Sequence, residues 1–283
     1  MTAYLRPNTL EEALAVREAH PEYTILAGGT DLLVSGHRVP PPPGIVDLFD
    51  LRPLRGIARD GDGSLRLGAA TTYLDVLSSD TGREELSILR AAAREIGALQ
   101  IQARGTLGGN LVTSSPVGDT LPVWLALGAE VELSSAGRGA RRVAYDAFCT
   151  GYRQTDMAPD ELVTAVTIPS PAPGTRRFWR KVGTRRAQSI SKLMIAATAR
   201  LENGLIAEPR IGLGALADRP IRGVAVERAM AGRPPDEDTA ARAARALAAE
   251  ITPIDDVRSS ADYRLTVATN LVARFVRLLA EPA

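Results

Sequence analysis

Two short segments, Ala27-Gly28-Gly29-Thr30-Asp31 and Thr106-Leu107-Gly108-Gly109-Asn110, each set adjacent glycines among small residues with hydrogen-bonding side chains. Adjacent glycines let a backbone turn through positive φ and leave its N–H groups uncovered by side chains. Uncovered N–H groups can wrap a pyrophosphate. Two such loops, about eighty residues apart, suggest a dinucleotide clamped from two sides. Neither segment has the spaced single glycines of a dinucleotide-binding βαβ unit, and neither carries the Gly-Lys-Ser/Thr of an ATPase loop, so both of those sites are disfavoured. A lone Gly-Gly is more often only a tight turn. Here a strand-like run, Tyr23 to Ala27, leads straight into the first pair. The polar run Thr113-Ser114-Ser115-Pro116-Val117-Gly118-Asp119 follows the second, between Leu111-Val112 and Leu121-Pro122-Val123-Trp124-Leu125. Polar groups in so apolar a setting need hydrogen-bond partners, and a ligand with phosphate and ribose groups suits them.

Other chemistries find little support. Cys149 is the single cysteine, so the chain has neither an internal disulfide nor the ligands of an iron–sulfur cluster, and Cys149 reads as a small buried apolar residue. The two histidines, His20 at a helix end and His37 in a proline-rich loop, offer no metal-ligand pattern. No nucleophile–base pair is recognisable, as expected where a cofactor carries the chemistry. A net charge of +1 and an aromatic content of 4% argue against nucleic acid as a partner. No apolar run is long enough to span a membrane, and the N-terminus has no apolar leader, so a cytoplasmic location is the default expectation.

The pattern along the chain predicts three sections. Thr9-Leu10-Glu11-Glu12 opens a helix to about His20, and strands at Tyr23–Ala27 and Gly44–Leu48 complete a small β–α–β-like unit, with a short helix starting at Asp31 and a stiff loop at Pro40 to Pro43. The second section begins near Leu54. It has a hairpin turning at Asp60-Gly61-Asp62-Gly63, helices over Thr71–Leu77, Leu86–Ile96 and Leu121–Ala126, a strand pair at Glu130–Leu133 and Arg142–Tyr145, and a β-rich run from Glu161 to Ile168. Ser170-Pro171-Ala172-Pro173-Gly174 reads as a linker. Beyond it, strands at Arg177–Val182, Ile195–Leu201 and Ile211–Leu216 and helices at Glu237–Glu250 and Thr266–Ala280 read as a smaller α+β domain. Arg176-Arg177, Arg180-Lys181 and Arg185-Arg186 are either a solvated strand face or a cationic field beside a cofactor.

Ala-Gly-Gly-Thr-Asp-Leu-Leu, Gly-Thr-Leu-Gly-Gly-Asn-Leu and the downstream Ser-Pro-x-x-Asp-x-x-Pro resemble the FAD-binding subunit of molybdenum hydroxylases of the xanthine dehydrogenase and carbon monoxide dehydrogenase type. The resemblance continues through Glu161-Leu162-Val163, Ile168-Pro169, Lys181-Val182-Gly183-Thr184-Arg185-Arg186-Ala187 and Ser260-Ala261-Asp262-Tyr263-Arg264, covering nearly the whole chain in order. It implies an α+β fold: a PCMH-type (vanillyl-alcohol-oxidase-like) FAD-binding domain over 1–172, with subdomains of about 1–53 and 54–172, and a C-terminal domain over 175–283 with a three-stranded antiparallel sheet and helices.

The same resemblance implies the cofactor contacts. Leu26, Ala27, Gly28, Gly29, Thr30, Asp31 and Leu32 would line the FAD pyrophosphate, and Thr106, Gly108, Gly109 and Asn110 its second wall. Thr113, Ser115 and Asp119 would make polar contacts, while Ile96, Leu162, Val163, Lys181 and Ile190 would lie toward the flavin. No residue is expected to be catalytic in its own right, and none to hold a metal. The molybdenum cofactor and [2Fe-2S] clusters would belong to a large and a small partner subunit, in a dimer of heterotrimers, with NAD, a quinone or dioxygen as electron acceptor. Gln100-Ile101-Gln102-Ala103-Arg104 departs from the Gln-Ile-Arg-Asn of many relatives. Two alternatives use the same residues: a stand-alone FAD-dependent oxidoreductase, and a scaffold module that has lost its flavin.

Overall fold

The computed structural model describes residues 2–34 and 41–282; the expectations placed on His37 and Pro40 lie outside the described residues. Among the described residues the chain builds three apolar cores, two of which draw residues from more than one section of the chain.

The first core belongs to a three-stranded parallel sheet. Strands β1 (Ala3–Leu5), β2 (Thr24–Leu26) and β3 (Gly44–Asp47) lie in the order β1-β3-β2, with helix α1 (Leu10–Ala19) crossing over. Thr9 caps α1 through its hydroxyl, which accepts the Glu12 N–H at 3.1 Å, while the Glu12 carboxylate reaches back to the Asn8 N–H at 2.7 Å. Only the return bond of the capping box is displaced, by one residue, from Thr9 to Asn8. Ala13, Val46, Leu48, Leu51 and Leu54 form the core, closed from the next section by Ala70 and Leu162. The helix expected from Asp31 is a turn, held by Leu33 N–H to Gly29 O and Val34 N–H to Asp31 O.

The second section contains strands β4 (Ile57–Arg59) and β5 (Leu65–Gly68), helices α2 (Tyr73–Ser78), α3 (Ser87–Glu95), α4 (Leu99–Gln102), α5 (Leu107–Thr113) and α6 (Leu121–Leu127), strands β6 (Glu130–Ser135) and β7 (Gly139–Ala144), helix α7 (Tyr145–Phe148), and strands β8 (Cys149–Gly151), β9 (Gln154–Thr155) and β10 (Leu162–Ile168). Its five-stranded sheet runs β4-β5-β10-β6-β7 and is antiparallel throughout. The central strand β10 is buried along its whole length, in keeping with a β-rich run that lacks a polar face. Trp124, Tyr145 and Phe148 fill the core beside it. Cys149 is buried there, as its residue type suggested.

The third section comprises strands β11 (Arg176–Val182), β12 (Leu193–Glu202), β13 (Leu205–Gly214) and β14 (Ile221–Arg222), and helices α8 (Val224–Met230), α9 (Glu237–Glu250) and α10 (Ala261–Ala280). Three long antiparallel strands form the sheet as expected, and the two-residue β14 extends its edge. Helix α10 starts five residues ahead of Thr266, where Ser260 caps it by accepting the Tyr263 N–H. Arg264 is buried and ties α10 down, donating to Ala215 O at 3.1 Å and Asp256 Oδ1 at 2.6 Å.

Period-two alternation fixes how this sheet is covered. Ile195, Ala197, Ile211 and Leu213 face the helices, whereas Ala196, Thr198, Gly212 and Gly214 face the second section. The small residues let α6 press against the strands. A Cβ on Gly212 would lie 2.0 Å from Pro122 O. Thr198 Oγ1 donates to Ala126 O at 2.8 Å, and Ala215 N–H to Pro116 O at 2.8 Å. On β11 the same alternation sends Phe178 to the helices and Trp179 and Lys181 to the opposite side.

Candidate functional site

The two glycine segments meet. An added Cβ on Gly28 would lie 1.8 Å from the Arg104 carbonyl oxygen, so the first turn rests on the backbone directly ahead of the second segment. Arg104 is steadied from below by Phe49, whose ring lies 3.6 Å from the guanidinium. This contact places Leu26 to Leu32 beside the start of α5, which brings together the residues expected to clamp one ligand.

The turns are built differently. In the first, the N–H groups of Gly28, Gly29, Thr30, Asp31 and Leu32 make no hydrogen bond to a main-chain acceptor among the described residues. Gly29 sits at φ +74°, which favours glycine. The turn is half-exposed from Leu26 to Thr30. The second segment is the first turn of helix α5 and not a loop, which corrects the sequence expectation. Leu107 and Leu111, one helical turn apart, are fully buried, and Thr106 is the N-cap. The Leu107 N–H goes to Thr71 O, the Gly108 N–H to Ala69 O at 2.8 Å, and the Gly109 N–H to Thr106 Oγ1 at 3.2 Å. Gly108 is packed, its Cβ position 2.7 Å from Ala69 Cβ. Gly109 is exposed, and an added Cβ would meet only Thr106 Oγ1.

The polar run beyond α5 finds its partners largely within the protein. Ser114, at φ +44°, is buried against Cys149 Sγ at 2.9 Å. Thr120 donates to Asn110 Oδ1 at 2.6 Å, fixing that side chain. The Ser115 hydroxyl accepts weakly from the Val117 N–H at 3.4 Å, and Thr113 remains half-exposed. Asp119 is the main surprise. Its Oδ2 takes Lys181 Nζ at 2.6 Å and its Oδ1 takes Ser191 Oγ at 2.6 Å. Lys181 also reaches Glu95 O at 3.5 Å, next to Ile96 at the end of α3. Burial pushes the Asp119 carboxyl above its ordinary range, and Lys181 and Ser191 pull it back. Tyr73 lies nearby, its phenol raised by burial.

Sequence reasoning named Asp119 and Lys181 but not the bond between them, and it missed Ser191. No local signal marks Ser191. It is brought to Asp119 by the closure of the β11–β12 connection, where Lys192 N–H bonds Val182 O at 2.8 Å. Ile190, beside it, is 52% exposed. The cationic segments separate by role. Arg176 donates to Leu278 O, Arg185 folds onto the carbonyls of its own loop, and Arg186 is exposed, leaving Lys181 as the cation buried at the site.

Leu162 and Val163 lie deeper, 2% and 6% exposed, in the first and second cores respectively. A register shift between Val163 and Ala165 lets Thr164 O accept the Ala69 N–H at 2.9 Å, connecting β10 to the Ala69–Gly108 contact. The departure at Gln102-Ala103 has a structural role: Gln102 Nε2 donates to Ile96 O at 3.0 Å. Among the described residues no group of three or more His, Cys, Asp or Glu is placed to hold a metal ion, and no helix is long and apolar enough to cross a membrane.

The arrangement fits an extended ligand with an anionic middle. A turn whose amides make no main-chain hydrogen bond among the described residues suits a diphosphate, and at the exposed Gly109 no side chain covers the backbone. The buried ion pair lies against the end of α3, where Lys181 reaches Glu95 O, next to Ile96 in sequence.

Two family models match the chain: "FAD binding domain in molybdopterin dehydrogenase" over residues 1–171 and "CO dehydrogenase flavoprotein C-terminal domain" over residues 179–279. The xanthine dehydrogenase FAD-binding subunit of Escherichia coli O157:H7 is 32% identical over 279 residues, covering 97% of this chain and 94% of that one. The glyceraldehyde dehydrogenase medium chain of Sulfolobus acidocaldarius is 32% identical over 266 residues, covering 94% and 93%. Among solved structures, reconstituted CO dehydrogenase from Oligotropha carboxidovorans superposes with a TM-score of 0.92 at 29% identity, covering 100% of this chain and 99% of that chain.

Proposed function

The chain belongs to the FAD-binding medium subunits of the xanthine dehydrogenase and carbon monoxide dehydrogenase family, and from that premise we propose that it is the electron-transfer subunit through which such a complex discharges to an external acceptor. FAD, when bound, takes and gives electrons one or two at a time, which lets it link the iron–sulfur clusters of a partner to a two-electron acceptor. This chain's own residues bind and orient. The amides of Gly28 to Leu32, with Leu26 and Ala27 leading in, hold the diphosphate. Gly108 seats α5 against Ala69, and Gly109 admits the ligand to the backbone. Thr106, Asn110, Thr113 and Ser115 supply polar contacts around it. Ile96, Leu162 and Val163 would provide apolar walls toward the ring, and the Asp119–Lys181 pair would set the charge there.

The partners in this reading are a large molybdenum-cofactor subunit and a small iron–sulfur subunit, as a dimer of heterotrimers in the cytoplasm, with NAD, a quinone or dioxygen as acceptor. The working domains are 1–172, with subdomains of about 1–53 and 54–172, and 175–283. The observation that carries the site is the run of amides from Gly28 to Leu32 that make no main-chain hydrogen bond among the described residues, in a turn seated on Arg104 directly ahead of α5. Co-expression with the neighbouring chromosomal reading frames, followed by a pull-down and a flavin and metal inventory, tests the reading. Recovery of one assembly containing molybdenum, iron and FAD is expected. A flavin-bearing chain that purifies alone and turns over unaided would overturn the partner assignment, and a colourless chain that takes up no FAD would overturn the cofactor.

A further inference from the structure

We propose that Ser191 is a positioning residue for the electrostatics of the flavin ring: its hydroxyl fixes Asp119 in the orientation that meets Lys181, so that the cofactor faces a closed ion pair and not a free carboxylate or ammonium. This rests on the FAD reading above. Ser191 is completely buried, and its hydroxyl donates to Asp119 Oδ1 at 2.6 Å while Lys181 takes Oδ2 at 2.6 Å. The two donors flank the same closure of the β11–β12 connection, at Val182 O and Lys192 N–H. Asp119, in contrast, comes from the loop ahead of α6. The third section thus delivers a cation and a neutral donor to one carboxylate of the second, and one oxygen is assigned to each.

The surroundings leave Asp119 few other partners. From α2 the buried phenol of Tyr73 lies nearby, close to Thr120. From α5 the Asn110 amide is taken by Thr120. The Glu95 carboxylate at the end of α3 is 3.8 Å from Arg186, and only its carbonyl reaches Lys181. Removing the hydroxyl weakens the ionised form of Asp119. A proton from solvent then adds to the carboxylate at higher pH, and the Lys181 charge is left unbalanced beside the ring. Loss of one hydrogen bond to a charged group corresponds to a shift of about one pH unit.

The test uses the full-length, FAD-loaded protein, measuring FAD per chain and the pH profile of flavin absorbance and midpoint potential for wild type, Ser191→Ala, Ser191→Cys, Asp119→Asn and the Asp119→Asn/Ser191→Ala double variant. Ser191→Ala is expected to retain FAD while the break in its profile moves up by about one pH unit. Ser191→Cys, a weaker donor of similar size, shows a smaller shift in the same direction and carries the test if the alanine variant does not fold. In the Asp119→Asn background the alanine change adds nothing. Profiles for both Ser191 variants that superpose on wild type, while Asp119→Asn departs from it, overturn the positioning role. So does an alanine effect that persists undiminished without the Asp119 carboxylate. A profile unmoved by Asp119→Asn overturns the placement of Asp119 at the ring, and wild-type protein without flavin overturns the cofactor reading itself.

Discussion

The two glycine pairs look interchangeable as text and act in opposite ways as structure. In the first, Gly28 packs backbone on backbone, and the amides from Gly28 to Leu32 make no main-chain hydrogen bond among the described residues. In the second, the amides of Leu107, Gly108 and Gly109 are spent on Thr71, Ala69 and the Thr106 cap, and what is offered outward is the bare surface of Gly109. One turn contributes donors; the other contributes absence of bulk. Within each pair the two glycines differ in kind: Gly28 and Gly108 are wedged against backbone or Ala69, while Gly29 holds a positive φ and Gly109 is open.

Substitutions separate these roles. The largest effect is expected from Gly28→Val, whose Cβ would lie 1.8 Å from Arg104 O. Unfolding in urea should show a loss of about 3 kcal/mol, with no flavin retained. Next comes Gly109→Val. If the second pair supplies clearance, stability should change by less than about 1 kcal/mol while FAD affinity falls by roughly 100-fold, equivalent to about 3 kcal/mol of binding. Full FAD occupancy in a folded Gly109→Val protein would break the comparison, because the exposed face of α5 would then not be the ligand's wall. Thr106→Ala should have the smallest effect. Loss of the cap costs about 1 kcal/mol of stability, and FAD titration should show less than about tenfold weakening.

Much of the fold was legible because alternation and caps speak locally. The Asp60–Gly63 hairpin, strands β11 and β12 and helix α9 follow from such patterns, whereas β13 begins at Leu205, six residues ahead of the expected Ile211. Helix α5 was hidden because two glycines near its start oppose helix formation by about 1 kcal/mol each. Tertiary burial of Leu107 and Leu111 overrides them, and the Thr106 cap with that four-residue apolar spacing was the available signal. Strand β1 is too short to show a period, and Val224–Met230 carries β-branched residues that disguise α8. At the site, residue types disclosed a polar cluster near Asp119 but not that the protein satisfies it. The ion pair to Lys181 joins positions 62 residues apart, and only the docking of two sections brings it into being.

That docking has a consequence for the chain's wholeness. The side of the β12–β13 sheet that meets α6 is paved with Ala196, Gly212 and Gly214, and it is closed by Pro122 and by the bond from Thr198 to Ala126 O. Such a surface has no standing in water by itself. A protease cut within Ser170–Gly174 would therefore leave two fragments that travel as one particle, and severing the covalent thread would not free either half.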